Sequence, residues 1–181
     1  MLKRLSLSII CVLTLAVGGQ EPDSPPDYQV ELLLVRNLNP NVGTEVFPLD
    51  IEITDEASTD DERPVEPFAA LTADALTLTD MVPKIARSRN FRVVGHTGWT
   101  QPGYTREEAK RKLVLTSAQT GEAVSGSATL SRERYLRLAF DLTLLVDGQS
   151  HRLQTQRRMI SRQVHYFDHP YFGVIAKITP L

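Results

Sequence analysis

Tyr135-Leu136-Arg137-Leu138-Ala139-Phe140-Asp141-Leu142-Thr143-Leu144-Leu145-Val146-Asp147-Gly148 is the run that decides the fold. Leu136, Leu138, Phe140, Leu142, Leu144 and Val146 face one way, and Tyr135, Arg137, Ala139, Asp141, Thr143 and Leu145 face the other. Alternation sustained this long marks a strand with one covered face. Asp147-Gly148 is a strong two-residue hairpin signal, because both residues tolerate the positive φ of a type I′ turn. The chain should therefore fold back along residues 151–160.

Working outward, Val124, Gly126, Ala128 and Leu130 alternate with Ser125, Ser127, Thr129 and Ser131, and a tight turn at 131–134 joins them to the first run. Residues 112–117 read as a short strand, and Phe172, Val174, Ala176 and Ile178 give a last one. From Val124 onward the pattern is that of an antiparallel meander. In residues 28–36, Tyr28, Val30, Leu32 and Leu34 alternate with Gln29, Glu31, Leu33 and Val35, and because Leu33 and Val35 are also apolar the run suits a central strand buried on both faces. Thr79-Asp80-Met81-Val82-Pro83 opens a short helix, with Asp80 as cap and Ile85 and Ala86 facing inward. Phe91 to His96 follows as a strand, so strand, helix, strand predicts a right-handed crossover with residues 91–96 parallel to residues 28–36. Residues 97–104, with Gly98, Pro102 and Gly103, read as a loop. The fold class is α+β: a predominantly antiparallel twisted β-sheet of about six to seven strands with one short helix.

The first 19 residues read as a secretory signal peptide, with Lys3 and Arg4 before an apolar run over 5–17 and small residues at Ala16, Gly18 and Gly19. That run falls short of the roughly 20 residues a bilayer span needs. Residues 20–27, rich in proline and acid, read as a tether, and residues 28–181 as one domain. The only cysteine, Cys11, lies in the leader, which excludes disulfides, thiol nucleophiles and Cys-ligated zinc downstream. An exported chain without disulfides suits a bacterial periplasm, with no membrane contact after cleavage.

Charge is uneven. Within the acidic excursion 37–67, residues 37–66 hold nine carboxylates against Arg63 alone. With little periodicity, the excursion is expected to be disordered from Asp55 to Pro67. Residues 67–181 carry sixteen Lys and Arg, twelve of them Arg, against nine Asp and Glu. Arginine grips carboxylates bidentately, so this basic body suits a carboxylate-bearing polymer. No nucleic-acid partner is expected.

The aromatic and histidine-rich stretch 165–173 carries the remaining chemistry. His165 and His169 have the spacing of a helical zinc site, but Pro170 and the strand-like surroundings set them roughly 13 Å apart. No metal or cofactor is expected. No Gly-x-Ser-x-Gly turn is present, and a His165–Asp168 acid–base pair is weaker than a plain turn at Asp168-His169-Pro170. Trp99 with Tyr104 offers either an aromatic platform for a sugar ring or a plug for one end of the core.

Arg157-Arg158-Met159, His165-Tyr166-Phe167-Asp168-His169-Pro170 and Phe172-Gly173-Val174 together resemble the C-terminal signature of the CsiV family. Tyr28-Gln29-Val30-Glu31-Leu32, Gly98-Trp99-Thr100-Gln101-Pro102 and Arg134-Tyr135-Leu136-Arg137-Leu138 agree with it, with Arg137 standing where the family pattern suggests histidine. The resemblance implies a non-catalytic, peptidoglycan-binding protein in the periplasm of a Gram-negative bacterium, supporting cell-wall synthesis and cell shape. Carboxylates of the stem peptides suit Arg157, Arg158 and Arg162. Glycan rings suit Tyr166 or Trp99, and His165, Asp168 and His169 complete the expected ligand-binding set. The alternative is an adaptor on a peptidoglycan synthase or its lipoprotein regulator, docking through an edge strand at 172–179.

Overall fold

The computed structural model describes residues 25–40, 63–116 and 122–181, which form two four-stranded antiparallel sheets packed face to face. The first sheet has the order β2-β1-β8-β7: β1 (Asp27–Asn37), β2 (Phe91–Pro102), β7 (Val164–Asp168) and β8 (Phe172–Pro180). The second runs β3-β4-β5-β6: β3 (Arg111–Leu115), β4 (Ala123–Arg132), β5 (Leu136–Val146) and β6 (Gln149–Met159). One five-residue helix, α1 (Val82–Ala86), lies between β1 and β2 in the chain. The signal-peptide reading and most of the tether and acidic excursion fall outside the described residues.

One apolar core fills the space between the sheets. Val30, Leu32 and Leu34 of β1 and Val174, Ala176 and Ile178 of β8 meet Leu130 of β4 and Leu138, Phe140, Leu142 and Leu144 of β5. Phe140 and Phe167 meet edge to face at 4.8 Å, joining the sheets across the middle. The hairpin at Asp147-Gly148 forms as the sequence predicts, with φ of 50° and 76°.

The single sheet of six to seven strands is replaced by eight strands in two sheets. The meander ends after β6, where Arg162 takes a φ of 65° and the chain steps across to β7. An outward-alternating pattern cannot distinguish a strand that continues one sheet from one that starts the facing sheet, because both bury the same face in the shared core.

The crossover reading is also corrected. β2 pairs antiparallel with β1, Asn37 opposite Phe91, and Leu38 N–H donates to Asn90 O (2.8 Å). The long connection thus closes at the end it left, and its helix is too short to carry the chain back along the sheet. Residues 63–90 instead wrap the sandwich as a strap. Val65 bridges to Arg111 and Ala70 to Trp99, sealing the gap between β3 and β2. The strap therefore orders the end of the excursion read as disordered, at Arg63 to Pro67. Beyond it, Leu78, Met81, Val82 and Ile85 cover Leu33, Val35 and Ile175 on the outer face of the first sheet. That cover is why β1 is apolar on both faces. Asp80 makes no capping bond, and Ala86 is exposed.

Glu31 pins the strap. It is 1% exposed on the outer face of β1 and accepts from Thr77 N (2.9 Å), Thr77 Oγ1 (2.8 Å) and Leu78 N (2.7 Å), with His96 Nε2 at 2.8 Å.

Candidate functional site

Strand register divides the residues nominated from sequence among several places. Arg158 points out of the second sheet, and its guanidinium carbon sits 3.4 Å from the centre of the Tyr135 ring. A guanidinium reaches that distance lying flat on the ring, which leaves its N–H edge pointing outward. Arg157, one residue earlier, points toward the facing sheet. It donates to Tyr166 O (2.9 Å) and lies 5.2 Å from the Phe167 ring centre. Arg157 therefore closes the gap between edge strands β6 and β7 and caps an edge carbonyl that would otherwise invite another strand. Arg162 is exposed in the turn between those strands.

His165 and Asp168 do not meet, since strand alternation sends them to opposite faces of β7. His165 Nε2 accepts the Ile160 N–H (3.0 Å) and holds the turn. Tyr166 lies across Gly173, where the absent side chain makes room for its ring, and is 43% exposed. Burial, and then the Asp168 carboxylate that its hydroxyl hydrogen-bonds, push the Tyr166 phenol up to about 12. His169 sits at the far end of the sandwich and accepts the Tyr171 N–H (3.3 Å). There the His151 ring stacks on Tyr171 at 3.6 Å, and burial lowers both histidines, with Arg36 adding to the effect on His151 and His151 to that on His169. Trp99 is fully buried and donates to Gln101 Oε1 (2.7 Å). It is the core plug, with no ring face to offer a sugar. Among the described residues, no group of three His, Cys, Asp or Glu is placed to hold a metal.

What the fold does gather is a basic corner on the outer face of the second sheet. The Asp147-Gly148 hairpin sets Arg137 of β5 directly opposite Arg158 of β6, and Ser131 of β4 is Arg137's other neighbour. The turn between β4 and β5 adds Arg134 and Tyr135, with Arg134 5.3 Å from the same Tyr135 ring. Among the described residues of this turn and the adjoining strand ends, Arg134, Arg137 and Arg158 stand with one carboxylate, Glu133. Asp141, further along the face, is held bidentately by Arg152 (2.7 and 2.6 Å). No described carboxylate pairs with Arg137 or Arg158. Like charges directly opposite on neighbouring strands destabilise a sheet, so a pair left in that state is a natural seat for an anion.

Sequence reasoning nominated Arg158 and missed Arg134, Tyr135 and Arg137. The signal was available: partners in a two-residue hairpin are equidistant from its turn, which fixes Arg137 against Arg158.

The family model described as "Peptidoglycan-binding protein, CsiV" matches residues 4–181. The chain belongs to the CsiV family. No curated protein and no solved structure matches it. Two stretches that carry the likeness to CsiV, Arg134 to Leu138 and Arg157 to Met159, are the two strand ends that build the corner. Among the described residues, no helix is long and apolar enough to cross a membrane.

Proposed function

We propose that this CsiV-family chain is a non-catalytic peptidoglycan-binding protein of the periplasm that supports wall synthesis and cell shape. It holds the polymer through the corner of Arg134, Tyr135, Arg137 and Arg158, with Arg162 in the adjacent turn. The observation that carries this reading is the opposed Arg137–Arg158 pair, exposed and without a described carboxylate, in a family of peptidoglycan-binding proteins. Stem peptides supply carboxylates, and arginine binds them with paired, charge-assisted hydrogen bonds.

The alternative adaptor reading has lost its edge strand. β8 lies between β1 and β7, and residues 173–177 are paired on both sides. The edge strand next to β8 is β7, where Val164 is 50% exposed but Arg157 already occupies the Tyr166 carbonyl. Strand addition by a synthase or its regulator would have to displace that contact.

Binding through exposed arginines must weaken with salt, because screening shortens from about 10 Å at 0.1 M to about 3 Å at 1 M. Purified chain should co-sediment with isolated sacculi at low salt and largely stay in the supernatant near 1 M. Absence of co-sedimentation at both would end the proposal. The two neighbouring arginines should also separate: Arg158→Ala loses most of the binding, whereas Arg157→Ala retains it. Equal losses would mean that the corner is not the grip.

A further inference from the structure

We infer that Arg137 and Arg158, braced by Tyr135, form a carboxylate subsite, so that the protein reads the stem peptides of the wall and not its glycan strands. This rests on the function proposed above and narrows it to one chemical feature of the polymer.

Three features of the face lead there. Two guanidinium groups are rooted on directly opposed residues, about 5 Å apart at Cβ, a spacing that lets one carboxylate, or two on one short peptide, neutralise both. The Tyr135 ring holds Arg158 in place, and the stacked geometry leaves the fork of donors pointing away from the ring. Alongside, the exposed carboxamide of Gln156, opposite Ala139 on β5, continues the row and matches an amide, while Thr129 and Ser131 of β4 are buried. A peptide carrying both carboxylates and amides is complementary to that row.

The same face is poorly made for sugars. Glycan rings are held by stacking on open aromatic faces, and on the outer side of the second sheet the only described ring is Tyr135. Arg158 occupies that ring at 3.4 Å and Arg134 stands 5.3 Å from its centre. Trp99 is sealed in the core, and Tyr166 belongs to the outer face of the other sheet. What is presented is positive charge with nowhere for a pyranose to lie.

The test compares four substrates for the purified chain at low salt: intact sacculi, sacculi whose carboxylates have been converted to amides, glycan strands enzymatically stripped of their stems, and soluble stem tripeptide as competitor. Affinity should fall about tenfold or more on amidation or stripping, and the tripeptide should displace bound chain. Arg137→Gln/Arg158→Gln should lose the same factor on intact sacculi while its melting temperature holds or rises, since a repulsive pair has been removed. Arg158→Lys should fall between, keeping charge without the planar fork. Arg87→Ala, in the strap on the opposite sheet, should bind as the unaltered chain does.

Retained binding to stripped glycan, or full binding by the double glutamine variant, would overturn the subsite while leaving wall binding intact. Failure to bind even intact sacculi would remove the parent proposal along with it.

Discussion

Glu31→Gln is expected to cost about 3 kcal/mol of stability, at the lower end of what breaking a buried, hydrogen-bonded charge removes. The carboxylate is 1% exposed and receives the Thr77 N–H, the Thr77 hydroxyl and the Leu78 N–H, with His96 Nε2 beside it. A carboxamide keeps the shape but turns one acceptor oxygen into an NH2 group, which then faces donors. At least one strap amide is left buried and unpaired. Because the strap shields Leu33, Val35 and Ile175, its loosening should be local before it is global. Hydrogen exchange at the Thr77 and Leu78 amides should accelerate more than exchange in β5. Urea melts unchanged within about 0.5 kcal/mol would show that the clasp does not hold the strap.

Acid should mimic the substitution. Burial pushes the Glu31 carboxyl up, but hydrogen bonds from Leu78, Thr77 and His96 together outweigh it and leave the group below its ordinary value of 4.5. A carboxyl depressed by folding contributes stability that is fully present above its unfolded value and lost as pH falls through the folded one. The stability gap between the unaltered chain and Glu31→Gln should therefore be constant at neutral pH and shrink below about pH 4.5. The basic corner lies on the other sheet, so the binding to sacculi proposed for it should be unchanged in the variant at pH 7.

The clasp also shows what sequence reveals and what it hides. β1 was legible as a central strand because Leu32, Leu33, Leu34 and Val35 leave no polar face, whereas the partners of Glu31 come from the strap more than forty residues on and are set only by the fold. The β5–β6 hairpin was legible because Asp147-Gly148 admits only a tight turn. The step from sheet to sheet was not, since Arg162 takes a left-handed conformation that its residue type does not advertise. Gly98 misled in a different way. Beside Pro102 and Gly103 it reads as loop, yet it is inside β2, and it is glycine because Leu71 and Leu76 of the strap lie 2.6 and 3.0 Å from where a Cβ would be. The basic corner was half legible: Arg158 stood out beside Arg157, while its partners lie twenty-odd residues upstream and join it only through register.

Trp99→Ala should have the largest effect of any single change, about 3–5 kcal/mol from the cavity alone. Trp99 is among the largest fully buried side chains, sits opposite Val30 in the first sheet, and through Gln101 ties that sheet to Leu130 O of the second (3.4 Å). Removing the indole empties this volume and strips the partner from Gln101 Oε1, itself on a side chain that is 1% exposed. Against a typical total of 5–15 kcal/mol, that loss leaves a marginal fold. Trp99→Phe keeps most of the volume and sacrifices only the hydrogen bond, so it should cost about 1–3 kcal/mol and remain folded. That milder variant separates the two roles offered by the sequence. If the indole only fills the core, folded Trp99→Phe binds sacculi as the unaltered chain does, and its melting curve moves alone. A folded Trp99→Phe that had lost the wall would mean that the ring reaches the polymer after all, through an opening between strap and β2 that the packing around Ala70 and Gly98 keeps shut.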